Sequence, residues 1–102
     1  MAGDNMKPFV KVKLQTGFFE RTDFKLKIAP GGLVFKPVSK GGSEIFISAA
    51  SIELVAFFES NLKMEVAAAG LTDAYFASES DWLGAMKEIK EKPGVKVICE
   101  IN

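Results

Sequence analysis

The sequence predicts a small α+β domain, with about seven strands in a bent antiparallel sheet or partly open barrel, capped by one amphipathic helix near the carboxyl end. Three observations predict it. Apolar and polar residues alternate through most of residues 10–77, the period-two mark of strands with one wet face. The apolar period becomes helical after Ser78. Clusters of Gly, Pro and Ser separate the alternating runs. The 102 residues suit one domain over 1–102, with a core across about 9–92 and an extra tail strand over 95–101.

Each element follows from its own residues. Val10, Val12 and Leu14 alternate with Lys11, Lys13 and Gln15, which predicts a first strand over about 9–15. Phe24, Leu26 and Ile28 against Lys25 and Lys27 give a second, and Ala29-Pro30-Gly31-Gly32 supplies the turn after it. A returning arm runs from Leu33 to near Pro37, and Ser39-Lys40-Gly41-Gly42-Ser43 connects it to a strand over 44–48. Residues 52–58 are almost all apolar, as expected of a strand covered on both faces or touching a partner. Leu62, Met64, Val66 and Ala68 mark the sixth strand, and a short seventh follows Gly70 over 73–77.

At Ser78 the chain changes period. Ser78 with Asp81 resembles a capping box, and the acids Glu79 and Asp81 suit the positive end of a helix. Trp82, Ala85, Met86 and Ile89 fall on one stripe with Leu83 on its flank, and the helix should end before Pro93-Gly94. Burying the large apolar side chains of this stripe contributes roughly 1.5–3 kcal/mol each before ordering entropy is subtracted. Val95, Val97, Cys99 and Ile101 alternate through the tail.

Composition narrows function by exclusion. Thirteen Lys and Arg balance thirteen Asp and Glu, without the basic excess expected of a general nucleic-acid binder. The neutrality hides a polarity: residues 1–40 carry a net +5 and residues 41–102 a net −5. A lone cysteine, Cys99, cannot form an internal disulfide, and the amino end shows no export signal, so the expected compartment is the cytoplasm. No uncharged stretch approaches the roughly 20 apolar residues that span a bilayer.

The segment Asp73-Ala-Tyr-Phe-Ala-Ser-Glu-Ser-Asp-Trp82-Leu-Gly-Ala-Met-Lys-Glu-Ile89 resembles the pleckstrin-homology (PH) superfamily, including its GRAM-like and bacterial members. Gly32-Leu-Val-Phe35 and the stretch 45–58 are similar to that family's middle strands. The resemblance implies that Phe76 ends the last strand and that Trp82, with Met86 and Ile89 below it, plugs an open corner of the sheet. It also implies a possible anion site. Lys13 followed by Lys25-Leu-Lys27-Ile28 is similar to the family's phosphoinositide pattern, with Lys where Arg is preferred and without its planar grip on phosphate. Lys11, Lys13, Arg21, Lys25 and Lys27 are the candidate anion-binding residues.

Other constellations read as surface or core. Phe18 and Phe19 lie in the connection 15–23, where folding back over the core is the default and exposure would make them an interface with a protein or membrane. Phe57 and Phe58 are adjacent in a strand, so one of them must leave the main core and be covered by the tail, by the Phe18/Phe19 loop or by a second copy of the chain. Cys99 reads as a small apolar residue. Glu44, Glu53, Glu59 and Glu65 lack metal-ligand spacing, and Gly31-Gly32 and Gly41-Gly42 are turns. No nucleophile has a base beside it in sequence. The expectation is a non-enzymatic binding or scaffolding module without cofactor or metal, acting on a protein partner or on itself. A peripheral anionic-lipid binder is the alternative, and nucleic acid is not expected.

Overall fold

The computed structural model describes residues 9–100. Eight strands form one sheet in the order β4-β3-β2-β1-β7-β6-β5-β8, which bends without closing. Its first half contains β1 (Val10–Gln15), β2 (Arg21–Ala29), β3 (Gly32–Pro37) and β4 (Ile45–Ser48). A single 3₁₀ turn, Ala49–Ser51, leads into β5 (Leu54–Phe58), β6 (Lys63–Ala67) and β7 (Leu71–Phe76). Helix α1 (Glu79–Lys90) and β8 (Val97–Glu100) complete the chain. β1 joins the halves by pairing with β2 on one side and β7 on the other.

Alternation decides which side chains meet. Val12, Leu14, Phe24, Leu26, Phe35, Phe57, Met64, Val66 and Phe76 all turn to the inner face and are buried. α1 lies over that face and contributes Trp82, Ala85, Met86 and Ile89, the stripe its sequence predicts. The Trp82 indole is fully buried, meets the Phe57 ring edge to face at 5.9 Å, and donates from Nε1 to the Lys63 carbonyl at 3.1 Å. That bond lets a polar N–H enter the core without a desolvation penalty. At the helix start the Ser78 hydroxyl accepts from the Asp81 backbone N–H at 3.2 Å. At the other end, Lys92 Nζ donates to the carbonyls of Ala29 and Pro30, fastening the segment after α1 to the β2–β3 turn.

Several expectations need correction. Phe57 is a core residue with no exposed surface, because its side chain shares the inner face with Val55 and meets Trp82; it is not an interface residue. Phe58 takes the outer face, half-buried, with Lys63 Nζ 5.5 Å from its ring centroid. β8 adds to the sheet edge, parallel to β5, with Phe57 opposite Cys99 and Phe58 opposite Glu100. Arg21, Thr22 and Asp23 belong to β2 rather than to a loop, since a short turn brings them opposite Gln15, Leu14 and Lys13. β7 likewise starts at Leu71. The amino-terminal reading over 1–8 and the tail residue Ile101 lie outside the described residues.

Candidate functional site

The β1–β2 hairpin turns through Thr16–Glu20 with its backbone closed on itself: the Thr16 and Gly17 N–H groups both donate to the Glu20 carbonyl, at 3.0 and 3.3 Å. Side chains brace it from the sheet. Gln15 Nε2 donates to the carbonyls of Gly17 at 2.6 Å and Phe18 at 3.1 Å. Arg21 Nε donates to Gln15 Oε1 at 3.4 Å, while its guanidinium lies 3.7 Å from the centroid of the Tyr75 ring on β7. The hydroxyls of Thr16 and Thr22 share a 2.7 Å hydrogen bond.

Phe18 and Phe19 stand at the tip of this braced turn, 88% and 90% exposed, with ring centroids 4.7 Å apart in an edge-to-face arrangement. They do not fold back over the core. Hydrogen bonds from Gln15 fix the turn's backbone instead. Two large apolar rings held in water are a source of binding energy, worth roughly 1.5–3 kcal/mol for each ring that a partner fully buries.

Beside the turn lies a groove of about 480 Å³ whose lining includes Lys11, Lys13, Arg21, Asp23, Tyr75 and Phe76. Lys13 is paired with Asp23 at 2.6 Å, and both side chains are more than half exposed, so this bond contributes at most about 1 kcal/mol. Next to it runs a different row. The register places Lys11 opposite Lys25, and Lys25 opposite Lys36. All three are exposed, and no ion pair among the described residues joins any of them to an acid. Lys27 and Lys36 extend over Phe9, with Nζ 5.9 and 5.4 Å from its ring centroid.

The outer face of the other half is wired differently. Lys63 bonds Glu65 at 2.8 Å and sits across from Tyr75. Hydrogen bonding to Glu65 raises the Lys63 pKa, burial opposes the shift, and the charge of Asp73 adds to it. Asp73 Oδ1 is buried without a hydrogen-bond partner, so the nearby ammonium is what offsets its desolvation.

The five cations singled out in the sequence thus separate. Lys11, Lys13 and Arg21 line the groove, Lys25 continues the lysine row, and Lys27 turns towards Phe9. Lys36 joins them although the sequence pattern did not single it out. A local signal for it exists, since the tight turn at Pro30-Gly31 sets the register that puts it opposite Lys25. Tyr75 had no such signal, because the β1–β7 pairing that places it spans some sixty residues of chain, while Gln15 acts within its own hairpin, bonding Gly17, Phe18 and Arg21. Among the described residues, no group of three or more His, Cys, Asp or Glu could hold a metal ion, and no helix is long and apolar enough to cross a membrane.

An unclosed, bent sheet of eight strands with one helix over its inner face defines a PH-like fold. The chain is similar to a solved structure described as that of the Spt16D Pob3N heterodimer, with a TM-score of 0.68 and 17% sequence identity. The match covers 90% of this chain and 52% of that one, so this chain spans about half the length of its structural neighbour. No protein-family model matches the sequence, and no curated protein does.

Proposed function

We propose that the chain is a single PH-like domain that works as a non-catalytic interaction module, docking a partner protein through the Phe18–Phe19 turn and the adjoining groove. One observation carries this reading: two almost fully exposed Phe rings project from a turn fastened at Gln15, Arg21 and Tyr75. Preorganised aromatic tips lose little entropy on binding, and aromatic residues dominate interface energetics. The groove beside them favours binding over bond-making, because its Asp23 is already engaged by Lys13. The structural neighbour is part of a heterodimer, which fits a partner of the same general kind. The loose match of the segments 32–35 and 45–58 supports a GRAM-like or bacterial type, and the lone cysteine supports a cytoplasmic setting.

A photo-crosslinking phenylalanine analogue placed at Phe18 in cells should yield a discrete protein adduct. The same analogue at Leu83, on the outer flank of α1, should not. Adducts of equal yield from both positions, or none from Phe18, would remove this surface from consideration. The unpaired lysine row favours a second reading, in which Lys11, Lys13, Arg21, Lys25 and Lys27 contact an anionic membrane. Sedimentation with phosphatidylserine vesicles at low salt separates the two, since the protein-docking reading expects the chain to stay in the supernatant.

A further inference from the structure

We infer that the Lys11–Lys25–Lys36 row is the docking site for an acidic, extended segment of the partner protein; the inference rests on the protein-docking reading above and names the chemistry of that partner. Like charges placed directly opposite one another across a sheet are destabilising, and here the chain repeats the arrangement twice in succession. The acids to relieve it exist elsewhere in the chain. Asp23 lies two residues from Lys25 on the same strand, yet it bonds Lys13 in the next row. The three ammonium stems therefore rise from neighbouring strands over about 10 Å, given an interstrand spacing of about 4.8 Å, and none of them is ion-paired with an acid among the described residues, although Glu44 comes next in line beyond Lys36 on the β3–β4 register.

The surroundings select the ligand. A flat anionic membrane brought against this row would also meet the exposed carboxylates of Asp23 and Glu20, and its charge cannot be arranged to avoid them. A peptide can place carboxylates over the lysines and leave a gap at Asp23. Phe9 supplies the second half of the match: its ring is 37% exposed beneath the ammonium groups of Lys27 and Lys36. An apolar side chain set between acids would cover that ring while its neighbours paired with the cations. The groove that Lys11 also lines reaches Arg21, the residue that follows the aromatic turn, so one extended partner can occupy both.

The test uses the full chain and a labelled peptide of Glu-Asp-Leu repeats, with a Lys-Leu peptide and phosphatidylserine vesicles as comparators. Amide NMR should show shifts centred on Lys11, Lys25 and Lys36 with the acidic peptide alone, in a salt-sensitive manner. Lys25→Gln should weaken binding about tenfold, the effect of one charge-assisted contact, whereas Lys63→Gln on the other half should not change it. Unshifted row amides, an affinity indifferent to Lys25→Gln, or vesicle binding without peptide binding each overturn the inference. So would concentration-dependent dimerisation abolished by Lys25→Gln, which would identify the occupant as the acidic half of a second copy. A protein crosslinked from Phe18 whose capture ignores Lys25→Gln would leave the docking reading intact and defeat only this one.

Discussion

The two halves of the sheet share one inner core but treat charge on their outer faces in opposite ways. On β1–β3, Lys11, Lys25 and Lys36 stand opposite one another, and among the described residues none of them is ion-paired with an acid. On β6 and β7, Lys63 is set between Glu65, Asp73 and the Tyr75 ring, and its side chain is only 19% exposed. The second arrangement lowers the energy of the folded chain by itself. The first opposes folding, and on the docking reading proposed above the charge pattern separates a surface serving stability from one serving recognition.

Removing what couples the halves should have the largest effect. Trp82→Ala empties the space between Phe57 and the rest of α1, and we expect a loss of about 3–5 kcal/mol in chemical denaturation. Because α1 packs against both β2 and β7, hydrogen exchange should accelerate in both halves together. Acceleration confined to β5–β7 would show that the halves are separate folding units, and an unchanged melt would mean that Trp82 is not structural.

Gly32→Ala strikes the first half alone. A Cβ there would lie 2.1 Å from the Ile47 carbonyl oxygen, a backbone atom that cannot move aside without disturbing the β3–β4 pairing. A loss of about 1–3 kcal/mol is expected, as for other overpacked sites, and an unaltered midpoint in urea would contradict the close approach.

The comparison is sharpest in a pair of lysine substitutions that should differ in sign. Lys63→Gln leaves Glu65 opposite Asp73 without their cation and should cost about 1 kcal/mol. Since the folded pKa of Lys63 is raised, its stabilisation is fully present at neutral pH and is lost as pH climbs through that raised value; the variant should lack this part of the alkaline decline. Lys25→Gln relieves two like-charge contacts and should gain a few tenths of a kcal/mol at low salt, with the gain shrinking as salt is added. A destabilised Lys25→Gln would erase the distinction drawn between the faces.

Much of the fold was legible because it is local. The alternation of Phe24, Leu26 and Ile28 with Lys25 and Lys27 marks β2 whatever it pairs with, and the spacing of Trp82, Met86 and Ile89 marks the buried face of α1. Errors fell where two distant segments had to be compared. Nothing local distinguishes Phe57 from Phe58, and their opposite fates were set by which of them faced Trp82. Phe18 and Phe19 read as ordinary loop aromatics from sequence, because the contacts of Gln15, Arg21 and Tyr75 that brace the turn form only once β1, β2 and β7 have come together.

By itself the sequence determined the strand-rich body, the single helix and the division of charge along the chain, since each depends on neighbours within a few residues. Tertiary structure alone decided that β8 would join β5 in parallel, that Tyr75 would lie beneath Arg21, and that Lys63 would be neutralised while Lys25 would not. The reason is register. A period-two pattern states which side of a strand is wet but not which strand lies beside it, and charges on a wet face acquire their meaning only from that neighbour.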